Sequence, residues 1–261
     1  MESADRIFTL ADMLYDAERS QKAVPPITGM PGGFTVEDAY AVQMENIRRV
    51  QAMGQVISGK KIGLTSEGIQ KQLGVNEPDY GHLFKSMDCP DGRVTCKDLI
   101  APKIEAEIAF ILKADLTGGR VTAQDVENAT EYVVAAFEVV DSRIADWNIK
   151  LPDTVADNAS SGRYILGSKK CSPQEINLPA ESMKLYKNKE ELVGEGTGAA
   201  VLGNPCKAVA WLANKMYAYG VILKKGEVIL SGAFSAAPPA KQGDIFEARF
   251  STLGTVKAEF V

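Results

Sequence analysis

The sequence of 261 residues holds one histidine, His82, and four cysteines, Cys89, Cys96, Cys171 and Cys206, with no C-x-x-C pair among them. Thiolate zinc sites of the usual spacing are therefore excluded, and the cysteines are expected to be reduced, mostly buried thiols. No serine stands in a G-x-S-x-G elbow, so a histidine-activated nucleophile would depend on His82 alone and is disfavoured. A lone histidine in a turn reads as a packing or hydrogen-bonding residue. No block of five or six like charges occurs, and 29 basic against 34 acidic residues leave a formal net charge of −5, which lacks the footprint of nucleic-acid binding. No uncharged run approaches the ~18 residues of a membrane span. The start, Met1-Glu2-Ser3-Ala4-Asp5, lacks the basic and then apolar pattern of a leader peptide. These absences predict a cytoplasmic protein with no nucleic-acid or membrane partner.

Regular βα alternation and repeats of about 20 to 50 residues are also missing, which argues against a Rossmann sheet, a TIM barrel or a solenoid. With 45% hydrophobic and 24% charged residues, the composition is that of an ordinary globular chain, long enough for one large domain or a domain with an appendage. The first 55 residues read as helical. Leu10, Met13, Leu14 and Ala17 recur at helical spacing, and Thr35 with Asp38 caps a second run through Tyr40, Ala41, Met44, Ile47 and Val50. Beyond them, short strands are predicted at 56–62, 105–112, 132–140, 163–166, 182–186, 228–230, 246–250 and 256–260, separated by turn residues. One helix interrupts them: Asn204 caps it, Pro205 suits its first turn, and Val209, Leu212, Ala213 and Met216 share a face. The expected class is α+β, with a helical N-terminal portion (1–55) and a β-rich catalytic domain (56–261).

Glu105 and Glu107 stand two apart in the apolar run 102–110. A period of two puts both carboxylates on one strand face, opposite Ala106, Ile108 and Phe110. Two readings stay open for such a pair, a solvated strand face or a cation site. Glu138 is a lone acid in the apolar run 133–140. Buried carboxylates are normally paired, protonated or metal-bound, so either a salt bridge to Arg143 or three carboxylates converging on Mg²⁺ or Mn²⁺ would account for it. Lys61, before Ile62-Gly63-Leu64, is a surface lysine or, beside a divalent ion in an apolar pocket, a proton-transfer group with a lowered pKa. Asp79, between Pro78 and Tyr80-Gly81, reads as a turn. The small polar stretch 153–162, which includes Ser160, reads as a binding loop or a capped turn. The run Gly194-Glu195-Gly196-Thr197-Gly198 has an acid inside it and no βαβ context, so nucleotide binding is disfavoured.

Taken together, Lys61-Ile62-Gly63-Leu64-Thr65, Glu77-Pro78-Asp79-Tyr80-Gly81 and the stretches 102–108, 138–147, 153–160 and 209–215 resemble the 2-keto-4-pentenoate (2-hydroxypenta-2,4-dienoate) hydratase family. That family is related to the 4-oxalocrotonate decarboxylases within the fumarylacetoacetate hydrolase-like superfamily, and the resemblance spans nearly the whole chain. It implies a mixed β-sandwich roll, a homo-oligomer, and a Mg²⁺ or Mn²⁺ site at Glu105, Glu107 and Glu138. It also implies an acid–base pair, Lys61 and Asp79, and a substrate contact at Ser160. The implied activity is that of a hydro-lyase of meta-cleavage aromatic catabolism, which adds water to 2-hydroxypenta-2,4-dienoate through its 2-oxo-3-enoate tautomer to give 4-hydroxy-2-oxopentanoate. The alternatives are 4-oxalocrotonate decarboxylation and a non-catalytic role stabilising such an enzyme; association with a pathway decarboxylase is also implied. Asp79 favours the hydratase, because the matching position in the decarboxylases is apolar and water addition benefits from a carboxylate.

Overall fold

The computed structural model describes residues 3–261. Two helices lead, α1 (Ser3–Ser20) and α2 (Val36–Ala52). The α2 start is a capping box. Asp38 N donates to Thr35 Oγ1 and Thr35 N to Asp38 Oδ2, each at 3.1 Å, which satisfies two backbone donors that the first turn leaves free.

Eleven strands follow: β1 (Ile57–Gly63), β2 (Asp79–Phe84), β3 (Arg93–Val94), β4 (Lys103–Leu112), β5 (Thr130–Val140), β6 (Ser161–Leu166), β7 (Ser182–Lys187), β8 (Glu191–Thr197), β9 (Val228–Leu230), β10 (Ile245–Phe250) and β11 (Gly254–Phe260). Helices α3 (Glu67–Leu73), α4 (Ala123–Ala129), α5 (Leu151–Ala156) and α6 (Pro205–Tyr217) lie between them. Six strands form one sheet in the order β2-β1-β9-β4-β5-β6, and five form the other in the order β3-β11-β10-β7-β8. All eight predicted strands occur, and α6 starts on the predicted Asn204 cap, whose side chain accepts from Cys206 N at 2.9 Å.

Three strands and three short helices are absent from the sequence reading. Strand β2 begins at Asp79, where Pro78, Asp79 and Gly81 had pointed to a turn. His82 is thus a buried strand residue, not a turn residue; tertiary pairing with β1 overrides the local turn chemistry. The glycine run at 194–198 belongs to β8 and the turn after it.

The six-stranded sheet has two unlike faces. Ile104, Ala106, Ile108 and Phe110 on β4, with Val133, Ala135, Phe137 and Val139 on β5, share the main core with Phe246, Ala248, Val256 and Phe260 of the other sheet. Each fully buried phenylalanine contributes about 1.5–3 kcal/mol. The opposite face carries a smaller apolar cluster, including Ala109, Ile111, Val134, Ala136, Tyr164 and Leu230, against Ile47 of α2. Strand alternation extends that second face to Glu105, Glu107 and Glu138, so one sheet surface is apolar at one end and acidic at the other.

Candidate active site

Strand pairing brings the three glutamates together. Glu105 lies directly opposite Glu138 across the β4–β5 ladder, and Glu107 lies opposite Ala136. One oxygen from each glutamate falls within 4.8 Å of the others. Like charges placed opposite each other repel, and water is excluded: Glu107 and Glu138 are 0% exposed. Gly232 N donates to Glu107 Oε2 at 2.8 Å, while among the described residues Glu107 Oε1 and both oxygens of Glu138 accept no hydrogen bond. Burial above all raises the pKa of each glutamate. It carries Glu107 well above the usual range, helped by Glu138 and Glu105, and pushes Glu138 up to about 8 against the pull of Lys61. Buried acceptor oxygens with no donor are the environment a hard divalent cation satisfies, so this set could hold a metal ion. Arg143 plays no part in it. The salt bridge to Arg143, one of the two readings open for Glu138, does not form: Arg143 pairs with Asp157, and Lys61 is the cation beside Glu138.

Lys61 reaches over from β1, its Nζ 3.2 Å from Glu138 Oε1 as an ion pair. A lowered pKa is expected for this lysine beside a divalent ion; in the metal-free chain the direction is the opposite. Burial does favour the neutral amine, but the surrounding charges of Glu138, Asp79, Glu105 and Glu107 outweigh it and hold the ammonium protonated. Asp79, at the first position of β2, faces Gly63 on β1. Its Oδ2 accepts from Thr154 Oγ1 at 3.3 Å, and its buried Oδ1 accepts from no hydrogen-bond donor. Burial raises its pKa despite the nearby Lys61. A Cβ on Gly63 would stand 2.3 Å from Asp79 Oδ1 and 3.4 Å from Lys61 Nζ, so the missing side chain is what leaves the two groups facing one shared point.

Lys61, Asp79 and Glu105 line a cleft of about 720 Å³ whose walls include Leu64, Trp147, Ile149, Phe234 and Ser160. Leu64, Trp147 and Ser160 all have left-handed backbones, with φ of 57°, 54° and 53°, a strained state for non-glycine residues that concentrates at functional sites. Ser160 ends the short turn Asn158–Ser160 before β6, and its Oγ donates to Asp157 Oδ2 at 3.4 Å. Arg143 is bonded to Asp157, and Arg163 lines a separate cavity, so neither arginine enters the cleft. The sequence reading missed Thr154 as the partner of Asp79, and Lys103, whose Nζ lies 4.0 Å from the centre of the Trp147 ring. Alternation along β4 places Lys103 on the face of Glu105; Thr154 stands in the small polar stretch 153–162, but nothing local pairs it with Asp79.

A two-sheet body with a buried carboxylate cluster and a lysine at the base of a cleft defines a protein with an acidic site suited to a cation. Residues 83–261 match the fumarylacetoacetate (FAA) hydrolase C-terminal family, and the chain belongs to it. It is 44% identical to a 2-hydroxyhexa-2,4-dienoate hydratase of Comamonas testosteroni over 100% of this chain and 99% of that protein. It is 47% identical to a 2-keto-4-pentenoate hydratase of Paraburkholderia xenovorans over 96% of this chain and 93% of that one. Among solved structures, it resembles a 4-oxalocrotonate decarboxylase of Pseudomonas putida complexed with magnesium and adipate, with a TM-score of 0.94 and 40% identity over 99% of this chain and 98% of that one. The family and the roll expected from the motifs are thus found. Among the described residues, no helix is long and apolar enough to cross a membrane.

Proposed function

We propose that the chain is a metal-dependent hydro-lyase that hydrates 2-hydroxypenta-2,4-dienoate, or a close homologue, to 4-hydroxy-2-oxopentanoate. The observation that carries this reading is the Lys61–Asp79 pair facing one point beside the carboxylate cluster, with Asp79 Oδ1 buried and accepting no hydrogen bond. The names of the hydratase relatives support it. Glu105, Glu107 and Glu138 would hold a Mg²⁺ or Mn²⁺ ion, whose chemistry there is Lewis-acid polarisation of the substrate carboxylate and 2-oxo group.

The chain's own groups then move protons. Ketonisation of the dienol adds a proton at C5 and removes one from the 2-hydroxyl; hydration adds hydroxide at C4 and a proton at C3. Lys61, which lines the cleft beside Asp79, is the donor to carbon. Asp79, with one oxygen accepting no hydrogen bond, orients the attacking water and takes its proton. Thr154 fixes the other Asp79 oxygen, and Ser160 contacts the substrate from the cleft wall. The active form is a homo-oligomer of the cytoplasm, associated with a pathway decarboxylase.

The close structural likeness to the decarboxylase favours a second reading, loss of CO₂ from 4-oxalocrotonate. That reaction consumes no water and gives Asp79 nothing to activate. The test is NMR of 2-hydroxypenta-2,4-dienoate with purified protein and Mg²⁺, beside a chelated control. Metal-dependent appearance of the C4 carbinol proton, lost in Asp79→Asn with metal binding retained, is the expected result. Normal turnover by Asp79→Asn, or ketonisation without hydration by the parent, would overturn the reading.

A further inference from the structure

Two adjacent lysines on β1 point to opposite faces of the six-stranded sheet. Lys61 faces the carboxylates, and Lys60 faces the main core, where it is buried and paired with Glu227. Glu227 immediately precedes β9, a strand of three residues. This strand alone separates β1 from β4. It pairs with β1 at Gly59–Val228, Lys60–Ile229 and Lys61–Leu230, and with β4 at Ala109–Leu230, Phe110–Ile229 and Ile111–Val228. Since β1 never pairs with β4, the placement of Lys61 against Glu138 is transmitted through those three residues.

Backbone ladders are indifferent to register, and a slip of one residue turns every side chain to the wrong face. Glu227 ties together the elements that meet at the β9 entrance. One carboxylate oxygen bonds Lys60 on β1; the other accepts from Lys224 N at 2.9 Å in the preceding turn; its carbonyl accepts from Leu112 N at 3.2 Å, at the end of β4. Gly59 lies so close that a Cβ there would stand 1.8 Å from Val228 O. A buried ion pair contributes little net stability over an apolar pair of similar volume, and its best-attested use is to define registry.

We propose that the Lys60–Glu227 pair is a positioning clamp that holds β9 in register and thereby sets the Lys61 ammonium against the carboxylate cluster. The catalytic consequence rests on the hydratase reading above; the structural consequence does not.

The test is the double variant Lys60→Met with Glu227→Leu, which removes both charges and so avoids stranding one of them. Three readouts apply: amide hydrogen exchange of residues 228–230, the crystallographic Lys61–Glu138 contact, and kcat against KM. The expected result is a melting temperature near that of the parent, exchange faster by at least about tenfold, a lost Lys61–Glu138 ion pair, and kcat down by about tenfold with KM within about threefold. Parent-like exchange with an intact Lys61–Glu138 contact would overturn the clamp. Faster exchange with that contact and kcat unchanged would overturn it equally, since the pair would then hold the strand without placing Lys61. A parent inactive towards the dienoate would defeat the functional reading alone and leave the exchange and contact readouts to decide the clamp.

Discussion

The Arg143–Asp157 cluster and the Glu105–Glu107–Glu138 cluster are both buried, yet only the first satisfies the charges it contains. Arg143 Nε pairs with the Asp157 carboxylate, Nη1 donates to Asp141 O at 2.7 Å and Ser161 O at 2.8 Å, and Nη2 donates to Asp157 O. Asp157 also accepts from Arg143 N at 3.0 Å. The glutamates and Asp79 have one ion-paired lysine among them and leave four carboxylate oxygens without a hydrogen bond. Satisfied buried charge is architecture, here the support of the 157–161 segment that presents Ser160. Unsatisfied buried charge destabilises the metal-free fold and is retained for what it binds.

Breaking the satisfied cluster should have the largest effect. Arg143→Met leaves Asp157 buried without its cation and should lower stability by about 3–5 kcal/mol in urea unfolding. Breaking the unsatisfied cluster should act in the opposite sense. Glu107→Gln removes a carboxyl that forms no ion pair and that Glu138 and Glu105 repel once it ionises, so the metal-free protein at alkaline pH should gain about 1 kcal/mol while activity falls at least about a hundredfold; a loss of stability comparable to that of Arg143→Met would erase the contrast. The same asymmetry sets the pH response. Because Glu138 titrates near 8 when folded, against 4.5 as a free side chain, the folded chain holds a proton there that the unfolded chain has released. The contribution of Glu138 to the stability of the metal-free protein is therefore fullest below about pH 4.5 and falls as pH rises towards 8, at up to roughly 1.4 kcal/mol per unit for one proton. Saturating Mg²⁺, which competes with that proton, should flatten the slope in thermal melts. Ser160→Ala, where the two clusters meet, should have the smallest effect, raising KM by about threefold with stability changed by less than about 1 kcal/mol.

Much of the fold was legible because its signals are local. Thr35 and Asp38 close a capping box within one turn, and the alternation in 104–110 separates Ile104, Ala106, Ile108 and Phe110 from Glu105 and Glu107. Where the local signal pointed elsewhere, the reading failed. Pro78-Asp79-Tyr80-Gly81 has turn chemistry, yet pairing with β1 makes 79–84 a buried strand, and Asp79 with it becomes a buried carboxylate. Of the two readings open for Glu138, the bridge to its sequence neighbour Arg143 does not form, because the chain turns after β5 and brings Asp157 to the guanidinium.

The residue pattern alone determined that Glu105 and Glu107 share a face, that the chain holds an α+β core, and, through its motifs, which family it belongs to. These follow from a strand period of two, from end signals spanning a few residues, and from side chains whose order along the chain is itself the information. Only the tertiary structure decided which charges meet. Strand order sets Glu138 opposite Glu105, three residues of β9 carry Lys61 to both, and burial together with neighbouring charge holds Lys61 protonated. The physical reason is that a protonation state is set by the summed field and desolvation at one point in space, and contributions to that point come from residues 61, 79, 105, 107 and 138, which no window along the chain contains.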